Sequence, residues 1–161
     1  MAAASAVDYK TPRSWLVLSA FLVVVIGVGA LIGTQTSPGT WYQNLEKPPF
    51  NPPNWVFGPV WFTLYAMIAV AGWRIFMIDA SSTAMKLWFA QMVVNWTWSP
   101  VFFIGEMLWL ALAVILIMIA LIIGFIVSAG KLDKLAAWLF VPYAAWVGFA
   151  TLLNASLAIL N

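Results

Sequence analysis

Apolar residues run through this chain in long uninterrupted blocks rather than alternating with polar ones. Five blocks approach or exceed the roughly 20 residues that a helix needs to cross a bilayer core. They extend approximately from Trp15 to Gly33, Trp55 to Ile78, Ala84 to Ile104, Met107 to Ala129 and Leu135 to Leu160. Inside a bilayer each segment must satisfy its own backbone polar groups, so blocks of this length predict helices. Only Pro100 and the short turn Gly105–Glu106–Met107 separate the third block from the fourth, which predicts antiparallel neighbours.

The polar interruptions carry direction. Lys10 and Arg13 precede the first span, Arg74 and Lys86 flank the second connection, and Lys131 and Lys134 lie in the fourth, leaving Lys47 alone on the other side. This bias predicts an amino terminus on the cytoplasmic side and a carboxyl terminus opposite. A bacterial cell membrane is the expected location, with an organelle outer membrane as the alternative. Read as a signal peptide, residues 1–33 would hold an apolar run longer than the ~7–15 residues of a signal core, so the first span is expected to persist.

Composition narrows the class further. Of 161 residues, 65% are apolar and 7% charged, and the mean hydropathy is +0.99, outside the range of water-soluble domains. One integral membrane domain over residues 15–161 is expected, behind a variable polar tail at 1–14. The chain has no cysteine and no histidine, which removes thiolate chemistry, the commonest metal ligand and general base, and the usual axial ligand of haem iron. A net charge of +2 comes from scattered residues that form no nucleic-acid stripe. Asp8, Glu46, Asp79, Glu106 and Asp133 fall in tails or connections, and no serine has a histidine to activate it, so no conventional catalytic constellation is present. No acid, lysine or arginine falls in a predicted span interior, which argues against ion-coupled transport.

The first connection is unusual. Six of the nine prolines lie between Pro38 and Pro59, among Trp41, Tyr42, Phe50, Trp55 and Phe57. Fixed backbone angles and large aromatic faces suit a stiff cap over the helix bundle, or an interfacial anchor with nothing beneath it. On the third span Gln91, Asn95, Trp98 and Phe102 share one helical face, Trp61 and Tyr65 do so on the second, and Trp146, Ala150, Leu153 and Asn154 on the fifth. Polar groups at bilayer depth face the bundle interior, where Gln91 and Asn95 would meet either a ligand or partners on other helices. Pro142 is expected to bend the fifth span and widen the space beside Trp146. Trp15, Trp73, Trp88, Trp109 and Trp138, all near span ends, read as interfacial anchors. The inward faces suit a chamber for flat, mostly apolar molecules with a few polar edges.

Three segments resemble a known family. Trp41, Tyr42, Leu45, Lys47, Pro48, Pro52, Pro53, Phe57 and Trp61 resemble the first-loop signature of the translocator protein or tryptophan-rich sensory protein family, TspO/MBR. Residues 91–103 (QMVVNWTWSPVFF) and 141–154 (VPYAAWVGFATLLN) resemble its third- and fifth-helix motifs. The resemblance implies an all-α bundle of five transmembrane helices with a structured Pro/Trp-rich loop between the first two. It also implies binding of porphyrins, notably protoporphyrin IX, or of synthetic isoquinoline and benzodiazepine ligands. The implied contacts are Tyr42 and Pro52 from the cap, Trp61 and Tyr65, Asn95 and Trp98, and Trp146, Ala150 and Leu153. The role implied is that of a receptor or sensor in tetrapyrrole regulation and stress, with tetrapyrrole transport, or light-dependent porphyrin breakdown using Trp61 and Trp146, as alternatives. No cofactor is obligatory, and without histidine a metal-free porphyrin or loosely held haem fits better than a stable haem protein. A homodimer is also implied, but small residues are not paired on the third span; Gly29 and Gly33 on the first have GxxxG spacing. Nothing basic follows Lys134, so the carboxyl-terminal sterol-binding pattern is missing.

Overall fold

A computed structural model of the chain describes residues 7–36 and 38–161. Among the described residues all regular structure is helical. The first helix, α1 (Pro12–Gln35), starts where the Thr11 hydroxyl accepts from the Ser14 amide at 3.2 Å, with a proline at a position that needs no N–H. The first connection holds the single turn α2 (Thr40–Asn44), and a tight turn at Asn54–Val56 leads into α3 (Phe57–Asp79). Ser82 caps α4 (Thr83–Ser99) through the Met85 amide. Pro100 then removes one donor from the ladder and the helix widens into a π turn, Pro100–Ile104, closed by the Gly105 amide on the Pro100 carbonyl at 2.9 Å. Glu106, with φ of 55°, takes the left-handed conformation that reverses the chain into α5 (Leu108–Ala129).

The last apolar block is two helices rather than one. Asp133 caps α6 (Lys134–Leu139) by accepting from the Leu135 and Ala136 amides, and a break at Phe140 precedes α7 (Val141–Leu160). Pro142 occupies the first turn of α7, where its missing N–H costs nothing, so the discontinuity lies before the proline instead of bending a helix beyond it. Four stretches are long and apolar enough to cross a membrane: Pro12–Gln35, Asn54–Asp79, Leu108–Ala129 and Lys134–Leu160. The helix α4 is shorter, at 17 residues, and carries Gln91, Asn95, Thr97 and Ser99.

α5 lies along both α4 and α7, while α1 packs along α3 and α6 against α3. The core between them is aliphatic and aromatic, with Ile68, Ile75, Met92, Ile115, Ile122, Phe125 and Phe140 sealed from outside. Two tryptophans expected at the membrane surface belong to this core. Trp73 is 7% exposed and donates to the Ser14 carbonyl at 3.0 Å, and Trp88 is 3% exposed and donates to the Ile68 carbonyl at 2.9 Å. An indole with an internal acceptor has no need of the headgroup region. Trp15, Trp109 and Trp138 are exposed, as anchors would be.

Each end of the bundle is tied. At one, Arg74 pairs with Asp133 while the Tyr9 ring lies 4.6 Å from its guanidinium carbon. At the other, the Asn161 side-chain amide accepts from the Glu46 amide at 2.9 Å and donates to the Glu46 carbonyl at 3.0 Å, joining the first connection to the end of α7.

Candidate functional site

Beneath the first connection lies a cavity of about 460 Å³, walled by α1, α3, α4 with its π turn, α5 and α7. Of the nine residues expected there, Tyr42, Trp61, Tyr65, Asn95, Trp98, Trp146, Ala150 and Leu153 all line it. Pro52 does not. Its carbonyl accepts from the Asn51 side chain at 3.2 Å, and the first connection reaches the chamber through Pro38, Tyr42 and Asn54 instead.

The roof is built from Tyr42 outward. Its phenol is buried and donates to Asn51 Oδ1 at 3.2 Å. Burial raises its pKa, with the Asn51 hydrogen bond opposing, so the hydroxyl stays neutral and donating. The Lys47 ammonium sits 4.9 Å from the Tyr42 ring centroid and donates to the Gln43 and Leu45 carbonyls, satisfying acceptors that the end of α2 leaves open. Trp41 and Tyr42 meet the Phe102 ring at centroid distances of 5.8 and 6.1 Å, and Tyr42 meets Phe103 at 5.5 Å. Trp41 and Tyr42 of the first connection thus pack on the π turn that follows α4, whereas Phe50 and Trp55 are exposed.

One wall is a chain of neutral hydrogen bonds across three helices. Tyr65 donates to Asn95 Oδ1 at 3.0 Å, Asn95 Nδ2 donates to the Tyr143 hydroxyl at 2.7 Å, and Tyr143 donates to Gln91 Oε1 at 3.0 Å. Asn95 thus serves the bundle and the chamber at once, while Gln91 is fully buried behind it and does not line the cavity. About one turn further along α4, the Trp98 indole donates to Asn154 Oδ1 at 3.3 Å, Asn154 donates to the Leu108 carbonyl at 3.0 Å, and the Trp98 ring stacks on Phe102. Trp61 packs on Tyr65 at 5.3 Å, and Trp146 on Phe57 at 5.9 Å. Among the described residues the buried Trp146 indole N–H finds no acceptor.

Two contributions escaped the sequence reading. Tyr143, at the hub of the polar chain, sits in a motif segment with nothing in its spacing to set it apart. The other is α1, whose Gly29 and Gly33 both line the cavity. Their spacing signalled a close helix contact, but the contact is internal: a Cβ on Gly29 would run into the Tyr65 ring. At Gly29 this face is turned inward, whereas Gly33 borders both the cavity and the outside.

Among the described residues no acid, lysine or arginine lines the chamber. Indole, phenol and phenyl faces with amide and hydroxyl edges can stack and orient a flat apolar molecule, and they offer no strong acid or base.

The TspO/MBR family profile matches residues 19–160. A tryptophan-rich sensory protein of Cereibacter sphaeroides is 37% identical over 140 residues, covering 87% of this chain and 88% of that protein. The human translocator protein is 32% identical over 135 residues, 79% and 80% of the two chains. The tryptophan-rich protein TspO of Archaeoglobus fulgidus is 37% identical over 158 residues, 91% and 96% of the two.

Proposed function

The chain belongs to the TspO/MBR family of membrane proteins, and from that premise we propose that it is a receptor or sensor that binds porphyrins and similar planar aromatic molecules in the chamber. The observation that carries this is convergence: Trp61, Tyr65, Trp98 and Trp146 reach one cavity from three helices beneath Tyr42. A buried indole N–H without an acceptor costs about 1–3 kcal/mol, which a ligand carbonyl or ring nitrogen beside Trp146 would offset. The absence of histidine from the sequence favours a metal-free ring such as protoporphyrin IX over firmly ligated haem. Tetrapyrrole regulation and stress response is the physiology such a receptor serves.

In this reading α4 and its π turn together supply a fifth crossing, the 17 and five residues reaching about 30 Å at helical rise. The amino terminus and the Arg74–Asp133 end are cytoplasmic, as the basic residues direct, and the proline-rich cap is extracytoplasmic. Self-association as a homodimer uses a lipid-facing surface other than the Gly29 face.

Replacing Trp146 by alanine removes both a stacking face, worth about 0.5–1.5 kcal/mol, and the free donor. Protoporphyrin IX affinity is expected to fall on the order of tenfold or more. Unchanged affinity would contradict the site. A second reading, light-dependent porphyrin breakdown, draws on the presence of Trp61 and Trp146 at one chamber. It predicts that Trp146→Phe abolishes photobleaching while retaining binding, whereas a pure receptor shows no breakdown to lose. Accumulation of porphyrin against a gradient in sealed vesicles would favour transport over both.

A further inference from the structure

The chamber is roofed by Tyr42 and open at the side, and we infer that it is filled from the bilayer, through a mouth between α1 and α3 in the leaflet under the cap. The inference rests on the chamber being a ligand site only for the identity of what passes through.

Above the chamber lies Tyr42, the roof residue, which is 4% exposed, and the segment that holds it is fastened by the paired hydrogen bonds between Asn161 and Glu46; Pro38 and Asn54 of the same connection line the chamber and are exposed, so the rim begins at the edge of the cap. The wall is different where α1 faces α3. Ala30 and Gly33 of α1 and Gly58 and Phe62 of α3 all line the chamber and are nevertheless exposed, Phe62 by 61%. A residue that borders a cavity and also the outside marks the rim of an opening.

The glycines show how the gap arises. One helical turn separates Gly29 from Gly33. At Gly29 an added Cβ would run into Tyr65, so the helices touch there; at Gly33 and Gly58 it would meet nothing within 4 Å. The two helices therefore pinch at the Gly29–Tyr65 contact and diverge toward the cap. At 1.5 Å per residue, Ala30 and Phe62 lie about 8 Å inside their helix ends, so the opening runs more than one helical turn away from the cap. Among the described residues no charged side chain lines the chamber or its rim. Such an opening admits membrane-dissolved, planar apolar molecules and turns away hydrated ions, for which the hydrocarbon region carries a heavy penalty.

The natural chain has no cysteine, which permits a test independent of any porphyrin. Leu153 lines the chamber and is otherwise buried, so Leu153→Cys places one thiol inside. In reconstituted bilayers, N-phenylmaleimide is expected to modify it on the order of a hundredfold faster than a sulfonated, membrane-impermeant maleimide. Adding Gly33→Phe or Gly58→Phe, at positions where a Cβ meets nothing within 4 Å, places a ring at the mouth and slows the N-phenylmaleimide reaction. Gly27→Phe, at an exposed position off the chamber whose Cβ also meets nothing within 4 Å, leaves the rate unchanged. Equal rates for the two reagents, modification by neither, or rates indifferent to both mouth-filling variants would each overturn the lateral route. Absence of protoporphyrin binding would overturn only the proposed ligand.

Discussion

Tyr143 has the most connected side chain in the polar chain. Its hydroxyl accepts from Asn95 and donates to Gln91, with Met118 sulfur 3.4 Å away. In Tyr143→Phe the Asn95 amide and the Gln91 carbonyl both lose a partner in a dry interior. Interhelical hydrogen bonds in membranes average about 0.6 kcal/mol, and stranding two buried groups costs more, so a loss of about 1–2 kcal/mol is expected. Thermal unfolding in detergent should register it as a lower midpoint; an unchanged midpoint would mean that these bonds contribute nothing net. Glycines give a sharper contrast. Gly29→Ala drives a methyl into the Tyr65 ring and should destabilise the protein and disturb the chamber, whereas Gly27→Ala, two residues away, meets nothing within 4 Å and should be neutral or slightly stabilising. Equal behaviour of the two variants in the same unfolding assay would contradict the α1–α3 pinch.

Helices differ in how plainly they announce their inner face. α4 was legible because its polar residues are few: Gln91 and Asn95 at helical spacing can only point inward in lipid, and Trp98 and Phe102 follow on the same stripe. α1 was not, because its chamber face is written in Ile26, Gly29, Ala30, Ile32 and Gly33, small and aliphatic residues that serve equally for helix contacts inside the molecule, between molecules or with lipid. The tryptophans show the same limit. Trp73 and Trp88 sit near helix ends as Trp15, Trp109 and Trp138 do, and only the carbonyls of Ser14 and Ile68, brought alongside by other helices, separate core indoles from surface ones. The prolines of the first connection suggested a stiff segment, but the hydrogen bonds that fasten it were hidden because Asn161 lies 115 residues from Glu46. Releasing that fastening has a local signature. Asn161→Ala should speed amide hydrogen exchange across residues 45–51 while the helices keep their protection. Unaltered exchange there would mean that the roof is held by Tyr42, Asn51 and the Phe102 contacts alone.

The whole molecule combines two solvents' rules. Its outer surface is written for lipid, with Leu16, Val23, Leu116, Ile123 and Ile159 exposed, and its interior is split between a packed core of aliphatic and aromatic side chains and a chamber lined largely by aromatic ones. A bundle with no further task could fill that space with side chains, since unfilled volume forfeits dispersion contacts. Retaining about 460 Å³ lined by indoles, with the buried Trp146 N–H lacking an acceptor among the described residues, suits the guest proposed above. The most direct test is a titration of the protein in lipid nanodiscs with protoporphyrin IX, followed by quenching of tryptophan emission. Saturable quenching at about one porphyrin per chain, weakened by Trp146→Ala, is the predicted result. Quenching that rises without saturation and matches porphyrin partitioning into empty nanodiscs would contradict it.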